Sequence, residues 1–290
     1  MNILVTGGLG FVGSHLVDSL ASDSSHNITV MDNLVSESSS REYMRDNVDY
    51  WIDDIRNINT HKYVGEKFDL VYHLAALARI QPSFKDPISY ISTDVMGTTH
   101  ILEFARRSSA KVVYAGSSSA YAGPMLNPYA FAKFTGEQVC DLYHNVYGMS
   151  TVTARFFNVY GHRQPRTGPY ATVVGVFEDK MLNGDTLPVT GDGNQRRDFT
   201  HVSDIVTGFE ELGKETWSAE VFQFGTGKNY SINELADMFG GEIEYIPRRP
   251  GEARDTLADV RETKNDIGWS SIHTLEDYIA EWTSKNIGND

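Results

Sequence analysis

The chain has 290 residues, 40% of them hydrophobic, one cysteine and a formal net charge of −14. That length supports one large α/β unit or two closely joined domains, and the negative charge argues against a nucleic-acid backbone or an anionic membrane as the main partner. The lone Cys140 rules out an internal disulfide framework and fits a reducing compartment, while no segment reaches the roughly 18 apolar residues that span a bilayer.

In chain order, Met1 runs straight into Asn2-Ile3-Leu4-Val5, which reads as a buried strand and leaves no room for a secretory leader. A cytoplasmic protein is therefore expected. Apolar runs at 3–5, 28–31, 70–74 and 111–115 read as buried strands, and helical spacing marks 11–21 and 92–107 as helices. This β-α-β-α order implies a parallel sheet covered on both faces, a doubly wound α/β fold. From about Gly161 the pattern breaks into Gly- and Pro-containing loops with shorter elements. The division expected is 1–160 and a smaller lobe over 161–290, with a soft boundary and a chain that can return to the main sheet.

After the first strand comes Thr6-Gly7-Gly8-Leu9-Gly10-Phe11-Val12-Gly13, leading into a helix. Side chains at these glycines would block the tight turn, the approach of backbone amides to a pyrophosphate, or helix-on-strand packing. Glycines alone are weak evidence, but the second strand ends in Met31-Asp32, about 20 residues on, where a carboxylate accepts from ribose hydroxyls and repels a 2′-phosphate. NAD is expected over NADP, in a Rossmann-type domain. Asp53-Asp54 is a second acidic candidate, for the adenine amine. Further on, Asn127 and Pro128 open a helix that Gly148 stops, and within it Tyr129 and Lys133 are spaced i, i+4. The ammonium is expected to lower the phenol's pKa toward neutrality. Gly116-Ser117-Ser118-Ser119-Ala120 follows a strand, so one hydroxyl, on Ser117 or Ser118, should reach the cleft and relay a proton to Tyr129. His73 reads as a packed strand residue and Cys140 as a buried helix residue. No metal site is expected.

With these motifs the chain resembles an extended short-chain dehydrogenase/reductase of the nucleotide-sugar epimerase and dehydratase group, nearly end to end. The resemblance puts the cofactor motif on Gly7, Gly10, Phe11, Val12 and Gly13, and the ribose acid on Asp32 beside Asn33. It puts the adenine-side acid on Asp54 beside Ile55, and the cofactor wall on Leu74, Ala75 and Ala76. The active-site serine falls on Ser117 and the Tyr-x-x-x-Lys pair on Tyr129 and Lys133. Arg155-Phe156-Phe157-Asn158-Val159-Tyr160-Gly161 resembles the segment whose asparagine contacts the diphosphate, here Asn158. Gly191 to Phe199 implies a phosphate-binding Arg197, and Arg249-Pro250-Gly251-Glu252 implies Arg249 on phosphate and Glu252 on ribose. Gln81, Ser83 and Thr256 are further substrate positions by resemblance, Thr256 as a size gate beside the sugar 2-substituent.

The serine loop also separates reactions within the resemblance. Family dehydratases carry an Asp-Glu pair after the active-site hydroxyl residue and decarboxylases a glutamate, because those reactions need further acid and base groups. Here Ser118 and Ser119 stand instead, which fits a 4-epimerase: hydride leaves C4 for NAD, a 4-keto sugar turns over, and hydride returns to the other face. A UDP-hexose is the expected substrate. The alternatives are a dehydratase or reductase of the same family, and more remotely a serine hydrolase or a non-catalytic NAD-binding regulator. Three departures from the family stand out: a connection between Tyr121 and Tyr129 shorter by about a dozen residues by resemblance, and Asp94 and His100 in place of asparagines. By resemblance, a homodimer is expected to pair the helix of Tyr129 with the helix at 92–107.

Overall fold

The computed structural model describes residues 1–36, 39–63 and 65–287. Seven parallel strands form one sheet in the order Ser218–Phe224, β6 (Thr151–Phe156), β5 (Lys111–Ser117), β4 (Leu70–His73), β1 (Asn2–Thr6), β2 (Asn27–Asp32) and β3 (Asp49–Ile52). Period-two alternation divides each central strand between two cores. Ile3 and Val5 face one side with Leu16 and Val17 of α1 (Phe11–Leu20) and Ile205, Phe209 and Leu212 of helix Val202–Lys214. Leu4 faces the other, with Ile101, Leu102 and Ala105 of α4 (Thr98–Ser108) and Cys140 and Tyr143 of α6 (Pro128–Tyr147). Both faces are covered, so the central strands read as near-continuous apolar runs.

β3 and β6 lie outside the apolar runs read as strands. β3 is an edge strand with only half-buried and exposed side chains, and β6 mixes Thr151, Thr153 and Arg155 among its apolar residues. The expected helix at 92–107 also differs. Short helices α2 (Ile80–Lys85) and α3 (Pro87–Tyr90) precede it, and Ile91–Gly97 winds as a π-helix before α4 begins. A third core, with Tyr160, Phe177, Leu187, Phe199, Leu235 and Trp282, lies in the later part of the chain. That later part also supplies Ser218–Phe224, which pairs with β6 and extends the main sheet.

Asn127 caps α6, its side chain accepting the Ala130 N–H at 2.8 Å, and Gly148 ends the helix in the left-handed region at φ 66°. These two stops give Tyr129 and Lys133 a fixed helical platform beside the ends of β5 and β6.

Candidate active site

The sheet changes winding direction between β1 and β4, and a cleft of about 490 Å³ opens over the carboxyl ends of the strands there. Its cofactor half is built from the glycine turn. Gly7 sits at φ +72°, and a Cβ on it would lie 2.8 Å from the Ala75 nitrogen. Gly13 presses against the same turn, since its Cβ would fall 2.1 Å from the Gly7 carbonyl oxygen. α1 starts on Gly10 without a side-chain cap, so the orphan amides of its first turn, at Phe11, Val12 and Gly13, border the cleft. Asp32 holds the far end: one oxygen accepts from Leu9 N–H at 3.0 Å, the other from Leu34 N–H at 2.8 Å, and burial raises its pKa. With Asn33, Ile55, Leu74, Ala75 and Ala76 also on the wall, these residues fit a dinucleotide: amides for the pyrophosphate, a carboxylate for the ribose.

Asp54 and its neighbour Asp53 have different surroundings. The Asp54 carboxylate takes Arg56 at 2.8 Å and Asn33 at 3.1 Å and caps the following turn, and it is Asp53 that lines the cleft. Asp53 is itself engaged by Asn57, Lys62 and Tyr63.

At the centre, Ser117, Ser118, Tyr129 and Lys133 share one wall. Ser117 caps the short helix α5 (Ser118–Ala122), its oxygen accepting the Ser119 N–H at 3.1 Å, and its hydroxyl acts on the Tyr129 phenol. Lys133 is buried, and its Nζ donates to the Ala115 carbonyl at 2.8 Å and lies 5.0 Å from the centre of the Tyr114 ring. The expected depression of the Tyr129 pKa by Lys133 is not what this arrangement gives. Burial raises the phenol's pKa, and the groups that pull it down are Ser117 and Arg79. Burial lowers Lys133 in turn, with Asp94 opposing.

Arg79 and Asp94 had no catalytic reading from sequence. Arg79 lines the cleft beside Tyr129 at φ +146°, a conformation that side-chain-bearing residues rarely adopt. Asp94 sits in the π-helical turn, 1% exposed; Oδ1 accepts the Leu77 N–H at 2.8 Å, while Oδ2 is buried without a hydrogen-bond partner. Burial pushes its pKa up to about 7, with Lys133 pulling down. The one available signal for Asp94 was its place in a position where relatives have asparagine.

His73 lies in the sheet interior between the hydroxyls of Thr6 and Thr98, at 2.7 and 2.9 Å, and burial pulls its pKa down to about 3. Cys140 is buried in α6.

Across the cleft, Gln81, Asn158, Arg197, Arg249 and Glu252 line the other half. Gln81 donates to the Pro250 carbonyl at 2.9 Å and to Glu252 at 3.4 Å, and Arg197 stands 3.8 Å from the Glu252 carboxylate. Asn158, at φ 24°, donates its side-chain N–H to the Asp198 carbonyl at 3.0 Å. Two expected positions lie off the wall. Ser83 is fully buried and donates to the Ile80 carbonyl at 2.7 Å. Thr256 is buried beside Arg196, whose carbonyl accepts the Thr256 N–H at 3.1 Å. The short connection before α6 packs against the loop of Arg249: Asn127 donates to the Gly251 carbonyl at 2.9 Å, leaving Met125 82% exposed.

Residues 3–223 match the model of the NAD dependent epimerase/dehydratase family. The chain is 32% identical over 305 residues to UDP-glucose 4-epimerase of Mycolicibacterium smegmatis, covering 97% of each. It is 31% identical over 303 residues to UDP-glucuronic acid decarboxylase 1 of Xenopus tropicalis, covering 95% of this chain and 69% of that one. Its fold is similar to UDP-glucose 4-epimerase of Thermotoga maritima solved with UDP-glucose, with TM-score 0.91, 29% identity, and 98% and 99% of the two chains covered.

Proposed function

We propose, from the premise that the chain belongs to the NAD dependent epimerase/dehydratase family, that it is a 4-epimerase of a UDP-linked hexose. NAD is the cofactor, and when bound it supplies the hydride acceptor and donor for C4. The observation that carries the reaction is the wall of Ser117, Tyr129 and Lys133 with hydroxyls, not carboxylates, at the two positions after Ser117. Elimination or decarboxylation calls for further acid and base groups there, and epimerisation does not.

Tyr129, as phenolate, takes the proton of the sugar 4-hydroxyl and later returns it. Ser117, on the same wall, relays that proton and steadies the phenolate, since its hydroxyl draws the phenol's pKa down. Lys133 is fixed by the Ala115 carbonyl, which holds its charge beneath the reacting groups. Arg197 and Arg249 offer guanidinium donors for a diphosphate.

A homodimer through α4 and α6 is part of the same reading. The two helices pack together through the Tyr143–Glu103 hydrogen bond of 2.9 Å, and α6 exposes Leu142, Val146 and Tyr147. Residence in the cytoplasm fits the single buried thiol; no helix among the described residues is long and apolar enough to cross a membrane.

The test is incubation with UDP-glucose and with UDP-N-acetylglucosamine, each with NAD, and chromatography of the products. A 4-epimer from the wild type, reduced about 100-fold or more in Tyr129→Phe, is the expected result. A 4-keto-6-deoxy product, formed by loss of water across C5 and C6, would replace the epimerase reading.

A further inference from the structure

Arg79 combines four features that its effect on Tyr129 does not account for. It lines the cleft beside Tyr129. Its backbone is held at φ +146°, where the missing Cβ of glycine would be favoured, and strain of this kind persists where the surrounding structure enforces it and clusters at ligand sites. Among the described residues only its Nε makes a hydrogen bond, to the Tyr170 carbonyl at 2.8 Å. Among the described residues no carboxylate lies within ion-pair distance of it, in a chain that carries 39 acidic residues against 25 basic ones.

A half-buried guanidinium without an anion is costly, and burial indeed pulls its pKa down, so a bound anion would complete the site. The acids on the cleft wall stand elsewhere: Asp32 and Asp53 at the cofactor end, and Glu252 beside Gln81 and Arg197. The groups that act on Arg79 are the phenols of Tyr129 and Tyr90, and the same cleft wall carries the hydroxyl residues Ser117 and Ser118, which are donors to an anion.

We propose that Arg79 is the subsite for a carboxylate on the sugar ring, making the substrate a UDP-linked hexuronate. This rests on the reading of the cleft as a 4-epimerase site. Tyr129 marks where the 4-hydroxyl must lie, and in a pyranose the carbon that carries C6 is bonded directly to C4. A C6 carboxylate therefore falls beside the phenol, where the guanidinium is. The planar fork of Arg79 retains its terminal N–H donors for such a two-oxygen partner. A carboxylate linked through O3 has the same chemistry from the other neighbour of C4, and the assay separates the two.

Calorimetric titration of the NAD-loaded protein with UDP-glucuronate, UDP-glucose and UDP-N-acetylmuramate, whose acid hangs from O3, measures the preference without requiring turnover. UDP-glucuronate is expected to bind about tenfold or more tighter than UDP-glucose. In Arg79→Met that ratio falls toward one. Arg79→Gly removes the guanidinium while relieving the strained backbone, so the same fall there cannot be assigned to misfolding. Equal affinity for UDP-glucuronate and UDP-glucose in the wild type overturns the inference. So does an equal loss for both ligands in the variants, which would put Arg79 on the diphosphate, or an Arg79-dependent preference for the O3-linked acid. If UDP-glucuronate binds through Arg79 yet no 4-epimer forms, the reaction fails and the subsite stands. If UDP-glucose is epimerised with no preference for the acid, the reverse holds.

Discussion

Asp94→Asn should make the protein more stable, and only above mildly acidic pH. The carboxyl is 1% exposed, accepts one backbone N–H and leaves Oδ2 without a partner. The groups acting on it are Lys133 and the Leu77 N–H, and its charge in turn acts on Tyr90, Tyr114 and Tyr129. Burial moves its pKa from 3.8 to about 7, so ionising it in the folded chain costs about 4 kcal/mol more than in the unfolded one. The folded state holds the proton more tightly. The group's favourable contribution is therefore complete below pH 4 and lost as pH rises through 7. Asparagine keeps an oxygen for the Leu77 N–H and does not titrate. Thermal unfolding of both proteins from pH 5 to 8 should show a difference that grows from about 1.5 to about 4 kcal/mol, the latter on the order of 8 °C in Tm. A difference that does not change with pH, or an asparagine variant that loses ground as pH rises, would refute the reasoning. The same substitution removes the carboxylate that holds Lys133 up, so the Lys133 pKa should fall further.

Two further outcomes follow from the geometry. Asp32→Ser should weaken NAD binding about 10- to 100-fold, the loss of charged hydrogen bonds to ribose, and narrow the preference over NADP by removing the repulsion of a 2′-phosphate; fluorescence titration with both cofactors reads the two effects, and an unchanged NAD affinity would remove Asp32 from the site. Sedimentation at micromolar concentration should give a dimer for the wild type and a shift toward monomer for the paired change Leu142→Glu and Val146→Glu on the exposed face of α6; a monomeric wild type would sink the pairing.

What was legible in the sequence was local. The glycine turn, Asp32 at the end of β2, and the capped helix carrying Tyr129 and Lys133 are each fixed by spacing within one β-α unit, and they arrive on the cleft wall. What escaped depends on contacts between distant segments. Two adjacent acids at 53 and 54 cannot be told apart by pattern, and a side-chain bond to Arg56 decides which one faces the cleft. Thr256 and Ser83 sit near site residues in the chain but point into packed interiors. The i, i+4 spacing put Lys133 near Tyr129, yet the Ala115 carbonyl claims the ammonium and leaves Arg79, 50 residues upstream, to act on the phenol. Arg79 stood in plain view after Leu74-Ala75-Ala76, but its φ of +146° is imposed by tertiary structure and leaves no mark in composition.

Strand Ser218–Phe224 is the last partner that β6 receives, and it is made late. On the ribosome, the first six strands emerge with the hydrogen-bonding edge of β6 open for the time taken to add more than 60 residues. At about 5 to 20 residues per second that is several seconds of exposure to other strand edges. A fragment ending near residue 160 would keep that edge open permanently. It is therefore expected to accumulate as aggregate, even though it carries every catalytic side chain.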